Sequence, residues 1–162
     1  MPYAFGHITS IPDAIDQLFT IYQAAYPTDA NGEAVYFWFG KELGAWSAPT
    51  TVQVIGVHPA DQEPAALGPD YTREELFSIE CKLTVFGGMA PTLQSFLANK
   101  NSCWAAWKAL AIAVANNPTL NGVVRFAEFG ELDYIPDVDN KGMTMGTITW
   151  LAKCSQRVYS LS

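Results

Sequence analysis

The stretch Leu76-Phe-Ser-Ile-Glu-Cys-Lys-Leu-Thr-Val-Phe86 decides how this chain folds. Phe77, Ile79, Cys81, Leu83 and Val85 alternate with Ser78, Glu80, Lys82 and Thr84. Strict period-2 alternation marks a strand with one buried face and one wet face. Gly87-Gly88 ends it, because glycine costs a strand both entropy and packing. At about 3.3 Å per residue the stretch spans roughly 36 Å, about twice a usual strand. Such a strand needs a partner along its length or reaches past its own domain.

That partner is sought at the other end of the chain. From Met143 to about Tyr159, Ile148, Trp150, Ala152 and Cys154 alternate with Thr147, Thr149, Leu151 and Lys153. Length alone makes this the antiparallel mate. Between the two lies a helix ending at Asn117-Pro118, with Trp104, Trp107, Leu110, Ala111 and Val114 expected on its buried face. Its start is open between Thr92 and Ser102, since Ser95 to Asn101 breaks the apolar pattern. Leu120-Asn-Gly122 leads into a strand over Val123–Phe129, and Pro136 to Gly142 reads as a turn, in a hairpin from Asp133 to Gly142.

Upstream, Ser10-Ile-Pro-Asp13 carries a capping serine, a proline in the first turn and an acid three residues on. Ile15, Leu18, Phe19 and Tyr22 follow as one apolar stripe, and Pro27 stops a helix of roughly 11 to 25. Two strands follow, 34–39 and 50–57. A long acidic loop of 58–73 then carries Asp61, Glu63 and Asp70. The order predicts an α+β domain over 1–162, a mainly antiparallel sheet with two helices on one face.

The totals narrow the function. The chain has 162 residues, enough for one domain with a core. It is 49% hydrophobic, a surplus that points to surface hidden in an assembly or on partners. A net charge of −7 leaves no basic footprint for gripping nucleic acid. Its first residues show neither a basic start nor an apolar run, so no signal peptide and no membrane partner are expected; the reading is a soluble cytoplasmic protein.

No catalytic constellation survives inspection. Cys81, Cys103 and Cys154 are far apart in sequence and read as free buried thiols. The two histidines, His7 and His58, have no partner at ligand spacing. Asp137-x-Asp139-x-Lys141-Gly142 has the outline of a calcium loop, but Lys141 and Ile148 stand where oxygen ligands are required. Glu74 and Glu75 are adjacent on a strand and point to opposite faces. The expectation is a non-enzyme without cofactor or metal.

Four segments, in order, resemble the tail terminator (tail completion) proteins of long-tailed bacteriophages. They are Ile15-Asp-Gln-Leu-Phe-Thr-Ile-Tyr22, Val52-Gln-Val-Ile-Gly-Val57, Glu75 to Phe86, and Trp107 to Val124. The last closes a helix in Asn-Pro-Thr-Leu-x-Gly-x-Val before two carboxy-terminal strands, as in actinobacterial-phage members. The resemblance implies a virion protein assembled in the host cytoplasm. It implies a homo-hexameric ring at the head–tail junction that caps the tail tube protein, docks on the head connector and lets DNA pass without specific binding. On that reading Asp61, Glu63, Asp70, Arg73, Asp133, Asp137, Asp139 and Lys141 contact neighbours or line the ring. Another neck or tail component, a head-closure or tube protein, is the nearest alternative. A small domain binding an apolar ligand among Tyr36, Phe37, Trp38 and Phe39 is a third.

Overall fold

The computed structural model describes residues 6–41, 49–59, 72–87, 92–138 and 144–159. In chain order these form α1 (Gly6–Ala25), β1 (Tyr36–Phe39), β2 (Thr50–Pro59), β3 (Thr72–Phe86), α2 (Leu93–Ala115), β4 (Phe126–Val138) and β5 (Thr144–Tyr159). The strands make one five-stranded sheet in the order β1-β2-β3-β5-β4. Only β1 on β2 runs parallel; the other pairings are antiparallel. The fold class is α+β, as expected.

The mating of the two long strands holds along their whole length. β3 and β5 pair without a break from Thr72↔Tyr159 to Phe86↔Met145, with Cys81 opposite Trp150 and Leu83 opposite Ile148. β3 has 15 residues and β5 has 16, so the ladder runs about 50 Å at strand rise. Directly opposed residues share a face. Phe77, Ile79, Cys81, Leu83 and Val85 therefore join Ile148, Trp150, Ala152 and Cys154 in the core, all of them buried. Both helices cover that face: Ala14, Leu18 and Tyr22 of α1 and Cys103, Ala106, Leu110 and Val114 of α2 belong to the same buried cluster.

Several boundaries move. α1 begins at Gly6, so Ser10 is not its cap and Pro12 lies inside it. Inside a helix proline forfeits its N–H bond and its ring crowds the carbonyl four residues back, so the helix continues past the expected start at a local cost. α2 runs unbroken from Leu93, capped by Thr92. Ser95 N donates to Thr92 Oγ1 at 3.2 Å while Thr92 N donates to Ser95 Oγ at 3.1 Å. This is a reciprocal box with serine in the place usually held by glutamate or glutamine.

The inward stripe of α2 is also turned by about one residue from expectation. Cys103 and Ala106 are buried, while Trp104 is 36% exposed. The reason is close approach: a Cβ on Gly146 of β5 would stand 3.0 Å from Cys103 Sγ. The sheet below already carries Trp150 and Phe129 with ring centroids 5.4 Å apart, so the helix presents small residues there.

Two loop expectations are corrected. β2 extends to Pro59 and β3 starts at Thr72, so both ends of the expected 58–73 loop are strand; residues 60–71 lie outside the described residues. The strand expected over Val123–Phe129 starts at Phe126 and continues to Val138, so the first residues of the expected Pro136–Gly142 turn are strand, and residues 139–142 lie outside the described residues. Residues 123–125 belong instead to a tight turn. Leu120, Asn121 and Gly122 take φ of 47°, 59° and 86° in succession. Asn121 N donates to Asn117 Oδ1 at 3.1 Å, and Leu120 is fully buried, which holds the strained backbone in place.

Candidate functional site

With one face of the sheet under helices, surface chemistry falls to the other face, to the edges and to the outer side of α2. Among the described residues, β1 and β4 are the two edge strands, on opposite sides of the sheet. β1 is a four-residue edge, Tyr36–Phe39, with no charge. β4 is a 13-residue edge, broken by a register shift between Gly130 and Asp133, where Glu131 takes φ of 51°. Bulges of this kind are a common device on edge strands.

Register assigns the faces of β4. Phe129 sits opposite Ala152 and Tyr134 opposite Ile148, on the helix side. Asp133 sits opposite Thr149, Ile135 opposite Thr147 and Asp137 opposite Met145, on the helix-free side. Asp133, Ile135 and Asp137 are all exposed. Asp137 Oδ1 accepts from the Val138 N–H at 2.7 Å, and Lys153 Nζ approaches Glu131 Oε1 at 3.3 Å. The helix-free face also carries His58 Nε2 against Glu80 Oε2 at 2.7 Å.

Of the residues expected at an interface, the structure brings Asp133 and Asp137 together, about two strand repeats apart on one face. They lie on β4 and not on a hairpin loop, because the pairing with β5 persists to Val138↔Thr144. Arg73 lies on β3, its backbone opposite Val158, and not in the acidic loop. Asp61, Glu63, Asp70, Asp139 and Lys141 lie outside the described residues. Sequence reading missed the outer flank of α2: Leu93, Leu97 and Trp104 are 75%, 45% and 36% exposed, with exposed Lys100 and Lys108 on the same side. The spacing 93, 97, 100, 104, 108 is itself a helical stripe, visible once the helix is known to begin at Leu93.

The thiols sit where chemistry is hard. Cys81, Cys103 and Cys154 are free and buried. Burial pushes each thiol up to about 12, and for Cys81 the Tyr22 hydroxyl, 3.8 Å from Sγ, pulls weakly the other way. A thiol held protonated is a poor nucleophile. No cluster of three or more His, Cys, Asp or Glu placed to hold a metal occurs among the described residues. An apolar groove of 280 Å³ lies beside β1, lined by Pro12, Ile15, Asp16, Phe19 and the 63% exposed Phe39.

These shifts set a pH dependence. The folded thiols ionise near 12 and unfolded ones near 9, so folding keeps protons that the unfolded chain gives up. Their contribution is complete below pH 9 and falls away between about 9 and 12. The melting temperature should therefore drop across that window, and a disulfide-exchange reagent at pH 8 should label the thiols no faster than global unfolding exposes them.

No family model matches this chain, and no curated protein matches it. Among solved structures it is similar to a chain of a particle described as "Virion of native gene transfer agent (GTA) particle". The identity is 12%, the alignment covers 87% of this chain and 90% of that one, and the TM-score is 0.36. So distant a likeness carries no functional argument. The class defined by the structure itself is an α+β protein with both helices on one face of the sheet, two edge strands among the described residues and an exposed apolar helix flank.

Proposed function

We propose that this chain is a structural virion protein of the tail terminator kind, forming a homo-hexameric ring that ends tail-tube growth and joins the tube to the head connector. One observation carries the reading: β4, paired with β5 on its inner side, is a 13-residue edge whose outer side has no neighbour strand among the described residues. A long unpaired edge is a liability in a monomer and a resource in an assembly, where a neighbouring copy covers it. The exposed Leu132, Ile135 and Val138 on the same strand add apolar area for such a contact.

The charge balance fits a ring through which DNA moves. At −7 the protein offers phosphates no general attraction, so a duplex in the lumen would not be held there. Buried thiols near 12 supply no nucleophile, in keeping with an assembly role and not catalysis. The 280 Å³ groove by Phe39 is open and carries one carboxylate, a poorer enclosure than small-ligand sites usually provide.

The test is genetic and microscopic. In a phage lacking this chain, electron microscopy should show tails of uncontrolled length beside full heads that carry none. Antibody against the chain should mark the head–tail junction of intact particles. Normal tails in its absence, or particles without the protein, would sink the proposal.

A further inference from the structure

We infer that copies of this chain meet through the outer flank of α2 on one copy and the helix-free face of β4 on the next, with Lys100 and Lys108 set against Asp133 and Asp137. This rests on the self-assembling part of the role proposed above, and not on where the assembly sits.

Two surfaces of the same molecule match in pattern and in sign. On α2, Lys100, Trp104 and Lys108 follow at i, i+4 and i+8, on adjacent turns of one flank. On β4, Asp133, Ile135 and Asp137 follow at i, i+2 and i+4, on one face of the strand. Each is a charged residue, an exposed apolar residue and a second charge of the same sign. The spans agree. Eight helical residues separate the lysines by about 12 Å, and four strand residues separate the aspartates by about 13 Å. With Trp104 over Ile135, each lysine faces one of the two carboxylates.

None of the four charged groups forms an ion pair among the described residues. Trp104 is 36% exposed and Ile135 53% exposed. Trp104 is also held in position, with its ring 6.1 Å from Tyr134 and 5.6 Å from Trp107, so a contact would cost it little side-chain freedom. The alternative pairing of one β4 edge with another would bring like carboxylates together, which disfavours it. Copies of a chain at −7 also repel one another, so association needs a local match of opposite charge of this kind.

A charge exchange tests it on the full chain by sedimentation at physiological salt. Asp133→Lys with Asp137→Lys should weaken self-association about tenfold or more, since close opposed charges at interfaces couple by more than about 1.5 kcal/mol. Adding Lys100→Asp and Lys108→Asp to the same chain should restore it to within about threefold. All four positions are exposed, so melting temperatures should stay close to wild type, and Ile135→Ser should weaken association without altering charge. A four-site variant no better than the two-site one overturns the contact, as does a wild-type chain still monomeric at about 0.5 mM. Either result with the protein still at the head–tail junction removes the contact and leaves the proposed role standing. Restored association in a protein absent from particles does the reverse.

Discussion

Replacing Trp150 by alanine is expected to cost about 3–5 kcal/mol, the range for emptying a large aromatic from a core. Trp150 is fully buried at the centre of β5, opposite Cys81 of β3. Its ring lies 5.4 Å from Phe129 of β4 and 6.3 Å from Tyr22 of α1, so it joins the sheet to α1. Small domains are stable by only about 5–15 kcal/mol, so the loss removes a large part of the margin. The melting temperature should fall by roughly 10 °C or more, read by circular dichroism. A fall of only a degree or two would show that the core does not depend on this ring. Trp150→Phe should recover most of the loss, because it keeps the aromatic contacts and leaves a smaller void.

The second large effect is expected at Gly87, just past the end of β3. Gly87 N donates to Thr144 O at 2.8 Å, extending the β3–β5 ladder by one bond. The side chain of Asn99 packs directly on its α-carbon, where a Cβ would overlap the carboxamide. Asn99 cannot swing aside freely: it is 4% exposed and its Nδ2 donates to Thr144 Oγ1 at 2.9 Å. Gly87→Ala must therefore displace the ladder, the amide or the first half of α2, and overpacking of this kind costs about 1–3 kcal/mol or more. Asn99→Ala alone should cost about 1–3 kcal/mol for the lost buried hydrogen bond. The double variant should be less destabilised than the sum, by about 1 kcal/mol or more, because the residue that obstructs the new Cβ has gone. Strict additivity in chemical denaturation would show that the two positions do not share the space.

The role of Asn99 also shows why α2 was only partly legible. A buried asparagine, flanked by Lys100 and Asn101, looks like the polar break between two helices. Its amide is instead part of the helix–sheet contact, on the same inward stripe as Cys103 and Ala106. Local pattern weighs polarity, and only the partner atom on Thr144 makes that polarity compatible with burial. The exposed stripe of α2 was missed for the same reason. Hydrophobicity alone directs Trp104 inward, whereas the helix comes so close to the sheet at Gly146 that Cys103 fills that position.

Local pattern was enough for the long strands, their alternating faces, the α+β class and the burial of Cys81 and Cys154. Those properties follow from a period of two and from glycine and proline punctuation, which act over a few residues and need no partner to be read. Tertiary structure alone decided which elements became edges. Strand order β1-β2-β3-β5-β4 is a matter of non-local pairing, and it turned the expected Asp133 hairpin into an open acidic edge. It also decided which side of α2 met the sheet, because two helices and five strands must share one close-packed volume, and volume is not a local property.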